Sequence, residues 1–365
     1  MSADSSLVTV ITPVYNGEQY LQDCMQSVLH QTYRNIRYVI VDNCSTDKSL
    51  EIATAAAATD DRITVVQSTE HVGVIQNWNR SLGNLDEHSK YIKFVHADDW
   101  LFPACIARMV EVADANDKVV LVSAYRLEED RVTLDRLPID APLVPTEDTF
   151  TMDGRSVGRA ILSERASVLG SPSSVLMKTN SLGDPTDFYD TAYLHADKEA
   201  ALRLLREYDF GFIRQVLVFT RRHNESVTSL NNTLDTRRQE NLLLLKNHGS
   251  AFLTNGEFRS AWKRELRNYY HFLAANVATG QSANFWDSHA KNMGRAGAAL
   301  SRLRLTAAFL RRWLNPGMAL KELMRNRSIA TNHKENKVHE PLHTPCKNSA
   351  DEVPSKIHNN SPTNS

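Results

Sequence analysis

Two adjacent carboxylates, Asp98 and Asp99, are the residues of this 365-residue chain whose types and position most clearly suggest chemistry. They follow the alternating apolar run Tyr91–Val95, which predicts a buried strand, and a helical pattern begins after them at Pro103. Two acids at the end of a buried strand are costly if they have no partner. They therefore indicate either a site that binds a cation or sugar hydroxyls, or an N-cap for the following helix.

Polar residues also follow the other strands that the sequence predicts. The apolar runs Leu7–Val14 and Ile36–Val41 are typical of strands buried on both faces, and they end at Tyr15 and at Asp42. Helical patterns separate these runs, which predicts an α/β fold with a doubly wound, mostly parallel, Rossmann-like sheet. Ligands of such sheets bind beyond the carboxyl ends of the strands, so the paired acids are expected to belong to a site.

Composition excludes several classes of protein. The chain is 42% hydrophobic and 23% charged, as in ordinary globular domains, and its formal net charge of −1 gives no whole-domain attraction to nucleic acid. The four cysteines show no CxxC spacing, which favours reduced thiols in a cytosol. We find neither a signal-peptide core nor an apolar run of about 18 residues, so the predicted location is cytoplasmic.

The sequence also lacks the familiar catalytic motifs. It has no GxGxxG after the first strand and no GxxxxGK[ST], which argues against a dinucleotide dehydrogenase and a P-loop enzyme. HExxH and GxSxG are missing as well, so a zinc hydrolase and a serine hydrolase lack support. What remains is a sheet edge with carboxylates, which can bind a hydroxyl-rich ligand or, with a hard divalent cation, a phosphorylated one.

Three segments, in the right order, resemble the family 2 glycosyltransferases with the GT-A fold: Val8–Asn16, Val39–Asp47 and His96–Trp100. The resemblance covers roughly residues 7–228. It implies an inverting, metal-dependent transferase of the hexosyltransferase type, with Mg²⁺ or Mn²⁺ as the cofactor. The donor would be a nucleotide diphosphate sugar, with UDP as the expected nucleotide. The acceptor would be a hydroxyl of a glycan or lipid-linked molecule in cell-surface polysaccharide biosynthesis.

The resemblance also implies roles for single residues. Asp197 would be the catalytic base, and Asp98 and His223 would bind the metal. The donor-binding positions are Thr12, Pro13, Val14, Tyr15, Glu18, Asp42, His96, Asp98 and Arg221. The acceptor-side positions are Gly170, Ser171 and Pro172.

The sequence departs from the family pattern at two positions. His96 stands where the DxD motif has its first acid; a neutral imidazole can bond a ribose hydroxyl, but it removes a negative charge beside the diphosphate. Ala196 stands where a Glu often precedes the base, which leaves Asp190 and Glu199 as competitors of Asp197. A nucleotide-sugar-binding or scaffold protein with impaired catalysis is therefore the alternative function.

The predicted organisation has three parts. Residues 1–230 would be the GT-A domain, with a nucleotide-sugar half at 7–124 and an acceptor and catalytic half at 125–230. Residues 231–325 would be a helical extension, and the polar residues 326–365 a disordered tail.

A basic amphipathic helix is predicted for Leu303–Leu314, where Leu, Phe and Trp alternate with arginines. One interpretation is that it lies on an anionic membrane surface, which would hold a cytoplasmic protein peripherally at the inner face of the membrane. The other is that it packs on the domain and leaves its arginines in water. The sequence leaves both open.

Overall fold

The computed structural model describes residues 6–128, 131–133, 148–163, 166–221, 236–279 and 281–314. The chain divides into two units, one that ends at Phe309 and one that begins at Leu310. The metal ligand predicted at His223 and the tail predicted for residues 326–365 lie outside the described residues. The three-part division predicted from the sequence stays a prediction.

Strands and helices alternate in the N-terminal part of the chain. In order they are β1 Val8–Val14, α1 Leu21–Leu29, β2 Ile36–Asp42, α2 Ser49–Ala57, β3 Ile63–Gln67, α3 Val74–Leu82, β4 Tyr91–Phe94, β5 Trp100–Leu101, α4 Cys105–Asp114 and β6 Val119–Glu128.

The remaining elements begin with short strands and end with helices. They are β7 Arg131–Thr133, β8 Thr149–Met152, α5 Gly154–Leu162, β9 Val175–Lys178, α6 Ala196–Leu204, β10 Asp209–Thr220, α7 Thr236–Phe252, α8 Asn255–Asn276, α9 Ala283–Arg295 and α10 Arg302–Leu314. None of the helices in the described ranges is long and apolar enough to span a membrane.

The ten strands form one sheet with the order β3-β2-β1-β4-β9-β6-β10-β5, in which β7 also pairs with β6 and β8 with β10. Strands β1 to β4 pair in parallel, and so do β6 and β10. The mostly parallel α/β sheet predicted from the sequence is therefore confirmed. Strand β9 adds an antiparallel element between β4 and β6, which the alternation of the sequence did not indicate.

Burial on both faces of the sheet explains the continuous apolar runs of the first strands. Ile11 and Phe94 belong to the hydrophobic cluster on one side, whereas Val10 and Ile40 belong to the cluster on the other. Because successive strand residues point to opposite faces, both faces must be apolar when helices cover them both. Helix α7 joins the first cluster through Leu243–Leu245.

The N-cap interpretation of the paired acids is wrong. Helix α4 begins at Cys105, and its N-cap residue is Ala104, which makes no side-chain capping bond. Asp98 and Asp99 instead lie on the turn between β4 and β5, where the amide of Asp99 donates a hydrogen bond of 3.0 Å to the carbonyl of His96. Neither acid is therefore the N-cap of α4.

Candidate functional site

His96, Asp98 and Asp99 form a cluster in which one possible ligand atom from each residue lies within 4.8 Å of the others. The imidazole of His96 stacks on Trp78 with ring centroids 5.5 Å apart. Among the described residues, the buried atoms His96 Nε2 and Asp99 Oδ2 have no hydrogen-bond partner. Buried polar atoms are normally paired, so these two orphaned atoms and the neighbouring carboxylate of Asp98 fit a divalent cation.

Asp99 is the most buried acid of the cluster, with 2% of its surface exposed. One of its oxygens, Oδ1, accepts a hydrogen bond of 3.0 Å from the amide of Arg221, at the end of β10. Burial, with a further contribution from the charge of Asp98, raises the pKa of the Asp99 carboxyl to about 6. A positive charge held between these residues would relieve both effects.

Lys93 lies beneath the cluster and is fully buried in β4. Its Nζ donates hydrogen bonds to the carbonyls of Ser173, at 2.5 Å, and Val175, at 3.3 Å. Burial lowers the pKa of Lys93, while the carboxylate of Asp99 acts in the opposite direction. The hydroxyl of Ser173 in turn accepts a 3.0 Å hydrogen bond from the amide of His96. The segment around Ser173 is therefore hydrogen-bonded directly to the cluster of His96, Asp98 and Asp99.

Arg221 lies beside the paired acids, and its predicted contact with the donor stays a prediction. Its Nε donates a 3.3 Å hydrogen bond to the carbonyl of Asp98. The guanidinium lies 4.1 Å from the ring centroid of Tyr20, and it is also near Trp100 and Phe219, which stack on each other. Aromatic faces hold a guanidinium without neutralising it, so the cation can attract a diphosphate.

The loops that follow β1 and β2 are joined by reciprocal hydrogen bonds. The amide of Asn16 donates to Ser45 Oγ at 3.0 Å, and Glu18 Oε2 accepts from the amide of Lys48 at 2.9 Å. Asn16 adopts a left-handed backbone conformation with φ 51°. The carboxylate of Glu18, predicted to bind the donor, therefore already serves to hold the two loops together.

Tyr15 is half exposed, and its ring contacts the ring of His71, with centroids 4.4 Å apart. A separate cavity of about 500 Å³ is lined by residues that follow β2 and by residues at and after the end of β3: Cys44, Ser45, Gln67, Ser68 and Thr69. That volume is within the usual range for a small-molecule site. An aromatic ring exposed on one face can stack on a nucleotide base. His71 was not a sequence-predicted site residue, because a histidine in a loop carries no pattern that reveals its partner.

Three predicted donor-binding residues, Thr12, Pro13 and Val14, belong to β1. The side chain of Thr12 is fully buried, and its hydroxyl is 2.9 Å from that of Tyr38. Val14 is packed in the core, and Pro13 is partly buried in the strand. The side chains of Thr12 and Val14 support the loop that begins at Tyr15, and donor binding by these three positions stays a prediction.

Asp42 ends β2 and has only 1% of its surface exposed. Its Oδ2 accepts a 3.2 Å hydrogen bond from the amide of Ser45, which closes a tight turn. Ser45 is also one of the residues that line the larger cavity. A direct bond from Asp42 to a nucleotide base stays a prediction.

Asp197 and the acceptor-side segment meet in a second, small cavity of about 30 Å³. Asp197 is in the first turn of α6, and the same cavity is lined by Ser171, Pro172 and Tyr189. Gly170, just before them, has φ +66°, and a Cβ there would lie 2.6 Å from Ser174 Oγ. Glycine is thus required for the turn that brings this segment beside Asp197.

The two competing acids do not line this cavity. Asp190 is exposed, and its carboxylate accepts a 2.8 Å hydrogen bond from the amide of Ala192. Glu199 is buried, with its carboxylate 3.3 Å from His248 Nε2 and 3.4 Å from Arg203 Nη2. Both have structural partners, which favours Asp197 as the acid that faces a ligand.

Comparisons with known proteins identify the family of the N-terminal part of the chain. Residues 9–167 match the model described as Glycosyl transferase family 2. The chain is 38% identical over 143 residues to TuaG of Bacillus subtilis (strain 168), named for teichuronic acid biosynthesis, which covers 39% of this chain and 56% of TuaG. It is 42% identical over 94 residues to glycosyltransferase GlyA of Streptococcus pneumoniae serotype 4, which covers 26% of this chain and 13% of GlyA. The chain thus spans less than two thirds of either relative.

A solved structure extends the likeness to most of the chain. S. aureus TarS 1–349, in complex with UDP-GlcNAc, superposes with a TM-score of 0.59 at 14% identity, covering 86% of this chain and 91% of that chain. At this identity the likeness defines the fold. The fold is that of the GT-A glycosyltransferases, and residues 9–167 form a domain of glycosyltransferase family 2, as the sequence motifs predict.

Proposed function

We propose that this glycosyltransferase moves a sugar with inversion from a UDP-sugar to a hydroxyl of a glycan or lipid-linked acceptor in cell-surface polysaccharide synthesis. The observation that carries the proposal is the pair of orphaned atoms, His96 Nε2 and Asp99 Oδ2, beside Asp98. A cation and a diphosphate would complete this cluster. The complex of TarS with UDP-GlcNAc and the name of TuaG support the donor and the pathway class.

The donor would bind along the carboxyl edge of the sheet. The exposed ring of Tyr15 would stack on the base, and the guanidinium of Arg221 would contact the diphosphate. His96, Asp98 and Asp99 would hold Mg²⁺ or Mn²⁺. Such a cation neutralises the charge that develops on the leaving diphosphate.

The acceptor would enter beside Asp197. Its hydroxyl must lose a proton as it attacks the anomeric carbon, and a carboxylate within hydrogen-bond reach can take that proton. Among the residues that line the small cavity, Asp197 is the one with a carboxylate. One base and one direct displacement invert the anomeric centre, which is the reason for the inverting mechanism.

The experiment that tests the proposal is a thermal-shift panel of UDP-sugars and GDP-sugars with and without Mn²⁺, followed by an assay of acceptor-dependent diphosphate release. We expect UDP-sugars with Mn²⁺ to raise the melting temperature; a ligand at 100 times its Kd stabilises a protein by about 2.7 kcal/mol. Stabilisation by GDP-sugars instead would contradict the proposal that the donor nucleotide is UDP. Donor binding without release of diphosphate for any acceptor would make the protein a donor-binding or scaffold protein.

We also propose peripheral membrane contact through the helix α10. Its sequence between Leu303 and Leu314 has three arginines and no acidic residue, so an anionic surface would attract it. We expect the protein to float with vesicles that contain phosphatidylglycerol but not with pure phosphatidylcholine vesicles. The variant Arg304→Gln/Arg311→Gln should bind less. Equal binding of both proteins, or none, would contradict the contact.

A further inference from the structure

Glu240 is a buried carboxylate from α7 that reaches the start of α6. It has 5% of its surface exposed. The amide of His195 donates to Glu240 Oε1 at 2.9 Å and to Oε2 at 2.8 Å, and the amide of Leu194 also donates to Oε1. Glu240 lies beyond the part of the sequence that resembles the family, so the motifs gave no indication of it.

These hydrogen bonds fix the backbone immediately before the proposed catalytic base. His195 is the N-cap residue of α6, and its own side chain makes no capping bond. Asp197 follows two residues later, in the first turn. An N-terminal helix amide normally needs an acceptor, and Glu240 provides one from a different helix.

The charges around Glu240 indicate that it and Asp197 are close enough to interact. Burial raises the pKa of the Glu240 carboxyl to about 7; the amides of His195 and Leu194 lower it, and the charge of Asp197 raises it further. Lys198 lowers it, and the Nζ of Lys198 also donates a 3.2 Å hydrogen bond to Asn241 of α7. Two contacts of α7 therefore fix the first turn of α6.

We propose that Glu240 is a positioning residue that directs the carboxylate of Asp197 into the cavity it shares with Ser171 and Pro172. The proposal rests on the proposed function, in which Asp197 is the base. The family often has a Glu directly before the base, but this chain has Ala196 there. Glu240 of α7 is instead a carboxylate close enough to interact with Asp197. The essential feature is an acceptor oxygen at the position of Glu240 Oε1, which accepts hydrogen bonds from the amides of both Leu194 and His195.

Two conservative variants separate the position of that oxygen from its charge. Glu240→Gln removes the charge but leaves an acceptor oxygen at the same distance from the backbone. Glu240→Asp keeps the charge, but its carboxylate is one methylene shorter and cannot reach both amides. We expect Glu240→Gln to keep kcat within about 3-fold of the wild type. Glu240→Asp should lose about 10- to 100-fold in kcat with an unchanged KM for the donor, because small misplacements of a reacting group cost about that much.

Glu265→Asp is the matched control. Glu265 is equally buried, in α8, and its carboxylate accepts a 3.2 Å bond from Arg264 and a 3.3 Å bond from Asn241. Its carboxylate bonds to these two side chains and not to the Leu194–His195 backbone, and it is linked to α6 through Asn241, which also accepts from Lys198. If the two backbone amides, and not the Lys198 contact, set the position of Asp197, Glu265→Asp should keep the wild-type kcat. If Glu265→Asp loses as much kcat as Glu240→Asp, the loss reflects a general effect on stability, and the positioning role is overturned.

The double variant separates this inference from the proposed function. If Glu240 acts through Asp197, Glu240→Asp should cost nothing more in the background of Asp197→Asn. A slow Asp197→Asn with a fast Glu240→Asp would leave the proposed function intact and overturn the positioning role. A wild-type rate for Asp197→Asn would overturn the base and, with it, this inference.

Discussion

Asp197→Asn is expected to lower kcat about 10²- to 10⁴-fold, the usual contribution of a general base, while the Kd for the donor stays unchanged. An amide is nearly the same size as a carboxylate but cannot accept the proton of the acceptor hydroxyl. Asp197 is in the small cavity with Ser171 and Pro172, whereas donor contacts are proposed at the other loops. Initial rates of diphosphate release and calorimetric titration with UDP measure the two quantities separately.

Asp190→Asn is the control for this prediction. Asp190 precedes α6 as well, but it is exposed and its carboxylate accepts from the amide of Ala192. We expect its kcat to remain near the wild-type value. If Asp190→Asn is slow and Asp197→Asn is fast, the proton is taken by Asp190 and the geometry of the small cavity has another role.

The place of the site could be predicted from the sequence because parallel sheets put the carboxyl ends of their strands at one edge. Apolar runs marked the strands, and the polar residues directly after them, such as Asp98, marked the edge. Arg221 could be placed only through the resemblance to the family. In the structure its amide donates to Asp99, a contact across 122 residues of sequence that no local pattern encodes.

The depth of each side chain could not be predicted in the same way. Thr12 and Asp42 are polar residues at strand ends, which favours a site, yet both are buried and have hydrogen-bond partners within the fold. Lys93 is a further example. A lysine in an alternating strand suggests an exposed face, but antiparallel β9 and the segment before it cover Lys93 and accept its hydrogen bonds. Such partners come from tertiary structure.

The buried charges explain how the site can be rigid before a donor binds. Lys93 is bonded to the backbone carbonyl of Ser173, whose hydroxyl is bonded to the amide of His96. Hydrogen bonds from Lys93 through Ser173 therefore connect the acceptor-side segment to the cluster of His96, Asp98 and Asp99. Because these groups are already held in place, less conformational entropy is lost when the donor and the acceptor bind.

Asp98→Asn is the second variant with a large expected effect, because it removes a charge from a cluster of three possible ligands. We expect the Mn²⁺-dependent increase in UDP affinity to fall by at least 10-fold, since even the loss of an outer partner of a metal ligand costs about 10- to 100-fold in affinity. Binding of UDP without metal should change little. Calorimetric titration with UDP, with Mn²⁺ and with EDTA, measures both quantities without any need for an acceptor.

Two further variants decide how the cluster divides its roles. Asp60→Asn is the control, because it removes a carboxylate that lies outside the cluster and is paired with Arg62 at 2.7 Å. This variant should keep the Mn²⁺ effect.

His96→Ala tests the departure from the DxD pattern. If the orphaned Nε2 is a ligand, this variant should lose much of the Mn²⁺ effect; if it keeps all of it, the two acids suffice and His96 serves only to stack on Trp78. An Asp98→Asn protein with the full Mn²⁺ effect would remove the cation from this edge of the sheet altogether.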